Sequence, residues 1–147
     1  MIIKLKLSTT KHTQMVDITD MIRKAVGNSG VTDGVCTVFI PHTTAAVTIN
    51  ENADPDVVRD LTTELGKIVP WEDGYHHMEG NSAAHLKASM IGFSEQIIID
   101  SGSLVLGTWQ GIYFCEFDGP RTRNIYVKLM GDQPILRQRD AGQNEEH

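Results

Sequence analysis

Two alternating runs, VCTVFI (35–40) and AAVTIN (45–50), stand on either side of the tetrapeptide PHTT (41–44), and they restrict the chain to folds built around a β-sheet. Successive side chains of a strand point to opposite faces. Cys36, Val38, Ile40 and His42 therefore share one face of the first run, and Ala45, Val47, Ile49 and Glu51 one face of the second. Each apolar line ends in an ionisable residue, as expected where a sheet meets a pocket. Ile3, Leu5 and Leu7 alternate in the same way, and with TQMVDI (13–18) they predict an opening hairpin. EQIIID (95–100), GIYFCEFD (111–118) and NIYVKLM (124–130) read as further strands between glycine-rich turns.

Three segments break this period. Thr19 and Asp20 open a short helix with Met21, Ile22, Ala25 and Val26 on its apolar side, closed by GNSG (27–30). Asp54-Pro55 is a strong helix start, a side-chain cap followed by proline at the first helical position. Val57, Val58, Leu61, Leu65 and Ile68 form the expected buried stripe of that helix, and Pro70 stops it. A third helix is expected from Asn81 or Ser82 to Gly92, with Leu86 and Met90 on its buried face. Strands outnumber helices without alternating regularly with them. The pattern predicts an α+β fold: one compact domain over 1–136, a largely antiparallel sheet or sandwich flanked by about three helices, followed by a polar tail at 137–147.

A chain of 147 residues is long enough for a real core but too short for a (β/α)8 barrel, which needs at least about 200 residues. A net charge of −6 argues against a nucleic-acid partner, and nothing approaches the ~18 apolar residues of a membrane span. The two cysteines, Cys36 and Cys115, sit in separate apolar stretches and read as reduced core thiols of a cytoplasmic protein.

Chemistry concentrates in two places. DGYHHMEGNSAAH (73–85) holds three of the six histidines. His76 and His77 are neighbours in an extended segment, so at most one easily faces the same site as His85. With His42, the pair His77 and His85 would make a three-histidine zinc-type site with an open position, aided by Glu51 or Glu79, although the spacing matches no diagnostic zinc motif. The alternative is a set of hydrogen-bonded polar histidines. GTWQGIYFCEFDGPRTR (107–123) is the second place. Trp109 is either a ring-stacking group beside Gln110 or a core tryptophan. Glu116 lies in line with Ile112 and Phe114, so it is a carboxylate among apolar groups that needs a partner. Arg121 and Arg123 either neutralise Glu116 and Asp118 or hold a phosphate.

These stretches, with PHTTAAVTINENADPDV (41–57), resemble the YjbQ-like family, often labelled secondary thiamine-phosphate synthase; the resemblance runs from about Lys4 to Gly131. It implies a compact α+β subunit of a homotrimer, with His42, Glu51, His77, His85, Trp109, Gln110 and Glu116 gathered in a pocket near the subunit interface. Within YHHMEG (75–80) it places the motif histidine at His77. The activity implied joins a pyrimidine methyl diphosphate to a thiazole phosphate and releases pyrophosphate. On that reading His42, Glu51, Glu116 and Gln110 carry the catalysis, and His42, His77 and His85 bind a metal. Trp109 stacks on a ring, and Arg121, Arg123, Lys87 and Asn81 hold a phosphorylated or heterocyclic ligand. Departing pyrophosphate calls for Mg2+ on oxygen ligands, whereas a histidine-rich pocket suits Zn2+ or another transition metal. A non-catalytic trimeric metal- or metabolite-binding module, or a metal-assisted hydrolase, is the competing expectation.

Overall fold

The alternating runs become strands that divide between two sheets. In the computed structural model, which describes residues 1–133, the elements in chain order are β1 (Ile3–Ser8), β2 (Gln14–Asp17), α1 (Thr19–Ser29), β3 (Gly34–Phe39), β4 (Ala45–Glu51), α2 (Pro55–Ile68), α3 (Ser82–Ile91), β5 (Ser94–Asp100), β6 (Ser103–Leu104), β7 (Gln110–Glu116) and β8 (Thr122–Gly131). One sheet has the order β1-β8-β3-β5-β6 and the other β2-β7-β4, and every pairing is antiparallel. This is the expected α+β sandwich with three helices. The tail expected at 137–147 lies outside the described residues, as do positions 134–136.

The apolar line of each strand makes the core. Cys36 and Val38 of β3, Ile97 and Ile99 of β5 and Ile125 and Val127 of β8 pack against Ala45 and Val47 of β4 and Ile112 and Phe114 of β7. Ile22 and Val26 of α1 join them. Helix α1 is tied to the sandwich at its first turn, where the Thr19 hydroxyl accepts a hydrogen bond from the Ile112 amide and donates to Asp17. Gly30, at φ 77°, ends the helix in the left-handed conformation that glycine adopts without penalty. The cysteines are free and buried, in separate clusters; burial pushes the Cys36 thiol up to about 11 and the Cys115 thiol to about 12, so neither is a ready nucleophile.

Three expectations need correction. The first two strands do not pair with each other: β1 lies along β8 and β2 along β7, in different sheets. Alternation defines which side chains share a face, not which strand lies alongside. Helix α2 starts as expected, with the Asp54 carboxylate accepting from the Asp56 amide and Pro55 at the first position. Its stripe, however, is only half covered: no residue of α2 is fully buried and Ile68 is exposed. In α3 the buried positions are Ala83, Ala84, Lys87 and Ala88, while Leu86 and Met90 are exposed. The helix sits close on the outer face of the three-stranded sheet, where Ala84 and Ala88 meet Ala46, Cys115 and Phe117. The alanines make this close approach, with Ile91 packed beside them, while Leu86 and Met90 turn away.

Gly34 marks the tightest approach between strands. A Cβ there would run into the Met130 carbonyl oxygen and the backbone of Gly131 on β8. Gly34 and Gly131 form the end pair of the ladder, and the clash is with backbone and not with a flexible side chain, so Gly34→Ala is expected to destabilise the domain by about 3 kcal/mol, the upper end of ordinary overpacking. Urea denaturation measures it.

Candidate functional site

The polar motif residues fall into three groups. The first closes one end of the sandwich. Glu116, at the end of β7, is fully buried, and so, nearly, is Arg123 of β8. Arg123 donates from Nε to Glu116 Oε1 at 2.9 Å and from Nη2 to Oε2. Thr9 Oγ1 donates to Oε1 at 2.7 Å and the Asp118 amide to Oε2 at 3.1 Å. Four donors fill the lone-pair sites of the two oxygens, leaving this carboxylate no free acceptor for a substrate or a metal. Burial alone would push the Glu116 carboxyl up, but the hydrogen bonds from Arg123, Thr9 and Asp118 outweigh it and hold the group below the usual carboxylate range. Arg123 also donates to Thr44 Oγ1 at 2.9 Å, linking both sheets. Arg121 donates to Asp118 Oδ2 at 2.9 Å. Both arginines are thus ion-paired inside the chain, the first of the two roles open to them.

His42 borders this group. Its Nε2 accepts a hydrogen bond from the Asn124 amide at 2.9 Å. A ring whose Nε2 lone pair accepts carries its proton on Nδ1, so in this arrangement His42 has a donor to offer and no free lone pair. Burial first, and then the positive charge of Arg123, hold its imidazole below the ordinary histidine value, with Glu116 opposing, which favours this neutral form.

The second group lies at the start of α3. Tyr75, His76, His77, Ser82, His85 and Leu86 line an open cleft of ≈ 470 Å3. The His77 and His85 rings meet edge to face with centroids 5.3 Å apart. Tyr75 braces the loop through its hydroxyl, which donates to the Pro70 carbonyl at 2.6 Å. Both His76 and His77 line the cleft, although only His77 packs on His85. His42 belongs instead to a separate shallow cleft with Phe39, Pro41 and Phe93. Asn81, just ahead of α3, donates from Nδ2 to Asp118 Oδ2 at 2.9 Å, tying this cleft to the Glu116 end. Its Oδ1 is buried with no hydrogen-bond partner among the described residues. Lys87 is two residues beyond His85, about 200° around the helix, and faces a different cleft with His12 and Trp71.

The third group is at the far end of β7. Glu51 pairs with Gln110 in the β4–β7 ladder, and six residues separate Gln110 from Glu116, about 20 Å of extended chain. Trp109 is 62% exposed, so it is a surface ring and not a core tryptophan. Gln110 folds its Oε1 back to accept from the Gly107 amide at 2.8 Å.

Among the described residues no three His, Cys, Asp or Glu side chains group closely enough to hold a metal ion. The chain supplies two neighbouring imidazoles, His77 and His85, and places the remaining motif residues elsewhere. Thr9, Thr44 and Asn124, which complete the Glu116 and His42 networks, were not legible in the sequence: they come from segments far apart in the chain.

Residues 3–132 match the family model described as UPF0047 protein YjbQ-like. The UPF0047 protein YugU of Bacillus subtilis is 52% identical over 128 residues, covering 86% of this chain and 97% of that protein. A UPF0047 protein of Methanocaldococcus jannaschii is 50% identical, covering 90% and 96%. A crystal structure of a YjbQ/UPF0047-family protein from Clostridium acetobutylicum superposes with a TM-score of 0.86 at 58% identity, covering 87% of this chain and 99% of that one. A YjbQ-like protein of unknown function from Sulfolobus solfataricus also gives a TM-score of 0.86, at 33% identity, covering 90% and 97%.

Proposed function

This chain belongs to the YjbQ-like UPF0047 family, and from that footing we propose that it is a small-metabolite enzyme working as a homotrimer, with a divalent transition metal in the His77–His85 cleft. The observation that carries the reading is the pair of imidazoles 5.3 Å apart in a ≈ 470 Å3 cleft. Imidazole nitrogens suit Zn2+ better than Mg2+, and a catalytic zinc site takes three protein donors and leaves one position open. Two of those donors come from His77 and His85; the third comes from a neighbouring subunit. The bound metal would supply Lewis acidity toward a phosphoryl or carbonyl oxygen.

Assembly is supported by two features of the single chain. The outer face of the five-stranded sheet leaves Phe39, Ile98 and Met130 exposed, with Val35 and Tyr126 beside them in register. Thr37, Gln96 and Lys128 lie between the Val35–Ile98–Met130 row and the Phe39–Tyr126 row, and exposed apolar rows of this kind support an association surface. In addition, Trp109 and Gln110 lie too far from the Glu116 end to serve the histidine cleft of their own subunit, so a shared pocket needs a second copy. There His42 acts as a hydrogen-bond donor through Nδ1, Trp109 stacks on a ring, and Glu51 is the free carboxylate. Ile98→Lys places a charge in the Val35–Ile98–Met130 row and is expected to turn the trimer into monomers at micromolar concentration. Sedimentation velocity reads this directly; a wild type already monomeric would end the trimer reading.

Thiamine-phosphate formation is the specific transfer we assign for testing. Arg121 and Arg123 are held by carboxylates, so a metal on His77 and His85 would have to supply the positive charge that a departing pyrophosphate needs. The same engagement of the arginines favours metal-assisted hydrolysis of a small phosphorylated or heterocyclic substrate as the second reading. Purified protein incubated with the pyrimidine diphosphate and the thiazole phosphate, with Zn2+ or Mg2+, is expected to give multiple turnovers that His85→Ala abolishes. Product no greater than the enzyme concentration, or equal turnover by the variant, contradicts the transfer.

A further inference from the structure

Lys87 is only 7% exposed, yet among the described residues no carboxylate lies within ion-pair distance of its ammonium. The side chain is buried as a whole while its ammonium opens on a cleft, and a cation held there without a counterion is a place for an anion to bind. The nearest aromatic face is Phe117, 5.9 Å from Nζ, a weak substitute for an anion. Lys87 lines a cleft of ≈ 480 Å3 together with His12 and Thr13 from the β1–β2 connection, Gly66 of α2 and Trp71. That volume is in the range of small-ligand sites.

Among the described residues no carboxylate lines the cleft. Asp118 lies at the margin: its Oδ1 approaches His12 Nε2 at 3.7 Å, while its Oδ2 is held by Arg121 and Asn81. His12 hydrogen-bonds Thr13 Oγ1 at 3.0 Å and packs edge to face on Trp71, centroids 4.5 Å apart. The cleft therefore combines an unpaired ammonium, an imidazole, a hydroxyl and a partly exposed indole.

We infer that this cleft is a second small-molecule site, distinct from the histidine cleft on the other side of α3, in which Lys87 and His12 take the oxyanion of a phosphate or carboxylate compound and Trp71 takes its ring. The ammonium supplies a charge-assisted hydrogen bond, Thr13 and His12 supply further donors, and the indole face accepts an aromatic or heterocyclic ring.

Phenyl phosphate and benzoate are the probes, since they share a ring and differ in the anion. Calorimetric titration of the wild-type assembly is expected to show saturable millimolar or tighter binding of at least one, and the stronger of the two identifies the anion. Lys87→Met and Lys87→Gln should each weaken that binding by at least about tenfold, as expected for a lost hydrogen bond to a charged group, and Lys87→Arg should retain most of it. Lys87→Met should melt no lower than wild type, because it keeps the largely buried stem and removes a partly desolvated ammonium that has no counterion. A His77→Ala/His85→Ala variant should bind the probes as wild type does, which separates this site from the proposed metal cleft. Absence of saturation with both probes, or undiminished binding in both the Met and Gln variants, overturns the inference.

Discussion

Glu116→Gln is expected to lower the unfolding free energy by about 3–5 kcal/mol, the range for removing one partner of a buried ion pair. The change keeps the shape of the side chain but leaves Arg123, itself 4% exposed, without a counterion between the two sheets. It also replaces one oxygen that accepts from two donors with an amide that must donate. The pH dependence follows from the depressed carboxyl. A group whose folded value lies below its unfolded one stabilises in full above the unfolded value and loses that contribution as pH falls through the folded value. Wild type should therefore lose stability on acidification over that window, while the Gln variant loses little, so the two curves approach each other at low pH. Urea unfolding across the acid range measures both. A variant within about 1 kcal/mol of wild type at neutral pH, a loss typical of one ordinary hydrogen bond, would return Glu116 to the list of pocket carboxylates.

His77→Ala and His85→Ala are each expected to weaken Zn2+ binding by more than about 100-fold, since even outer-shell partners of a ligating histidine are worth about 10–100-fold. His77 sits in an exposed loop, with 44% of its side chain accessible, so its loss should leave the melting temperature nearly unchanged. His42→Gln makes the contrasting case. Its Nε2 is engaged by the Asn124 amide, so the variant should keep most of the zinc affinity while unsettling the Asn124 segment. Equilibrium dialysis with a competing chelator separates the three. Equal loss in all three would mean that the His42 ring rearranges to ligate, with the Asn124 hydrogen bond broken.

The residues that spoke most clearly in the sequence were those whose meaning is local. Two-residue alternation located the strands, and Asp54-Pro55 located the start of α2, because both depend on a few neighbouring residues. What alternation does not contain is the partner of a strand, and β1 and β2, adjacent in sequence, parted into different sheets. Leu86 and Met90 failed for a related reason: the distance at which α3 docks is set by Ala46 and Cys115 on strands far away in the chain. In the site, one continuous segment offered His85 with either His76 or His77, and it was the family resemblance that pointed to His77; both line the cleft. Glu116 was legible as a carboxylate in need of a partner, yet Arg121 and Arg123 were equally suited to a phosphate, and only the packing of the two sheets, which sets β8 against the end of β7, pairs Arg123 with Glu116 while the β7–β8 connection pairs Arg121 with Asp118. The separation of Trp109 from Glu116 follows from the straightness of β7 and leads to the intersubunit arrangement proposed above.

The most direct test is a crystal of the assembly grown with Zn2+ and measured at the zinc absorption edge. The account predicts an anomalous peak between His77 and His85, with nitrogens at about 2.0–2.1 Å, the usual zinc–imidazole distance, and a further protein donor reaching the ion from a neighbouring copy of the chain. A peak elsewhere, a zinc held by only one of the two histidines, or a single chain that completes the coordination unaided would contradict it.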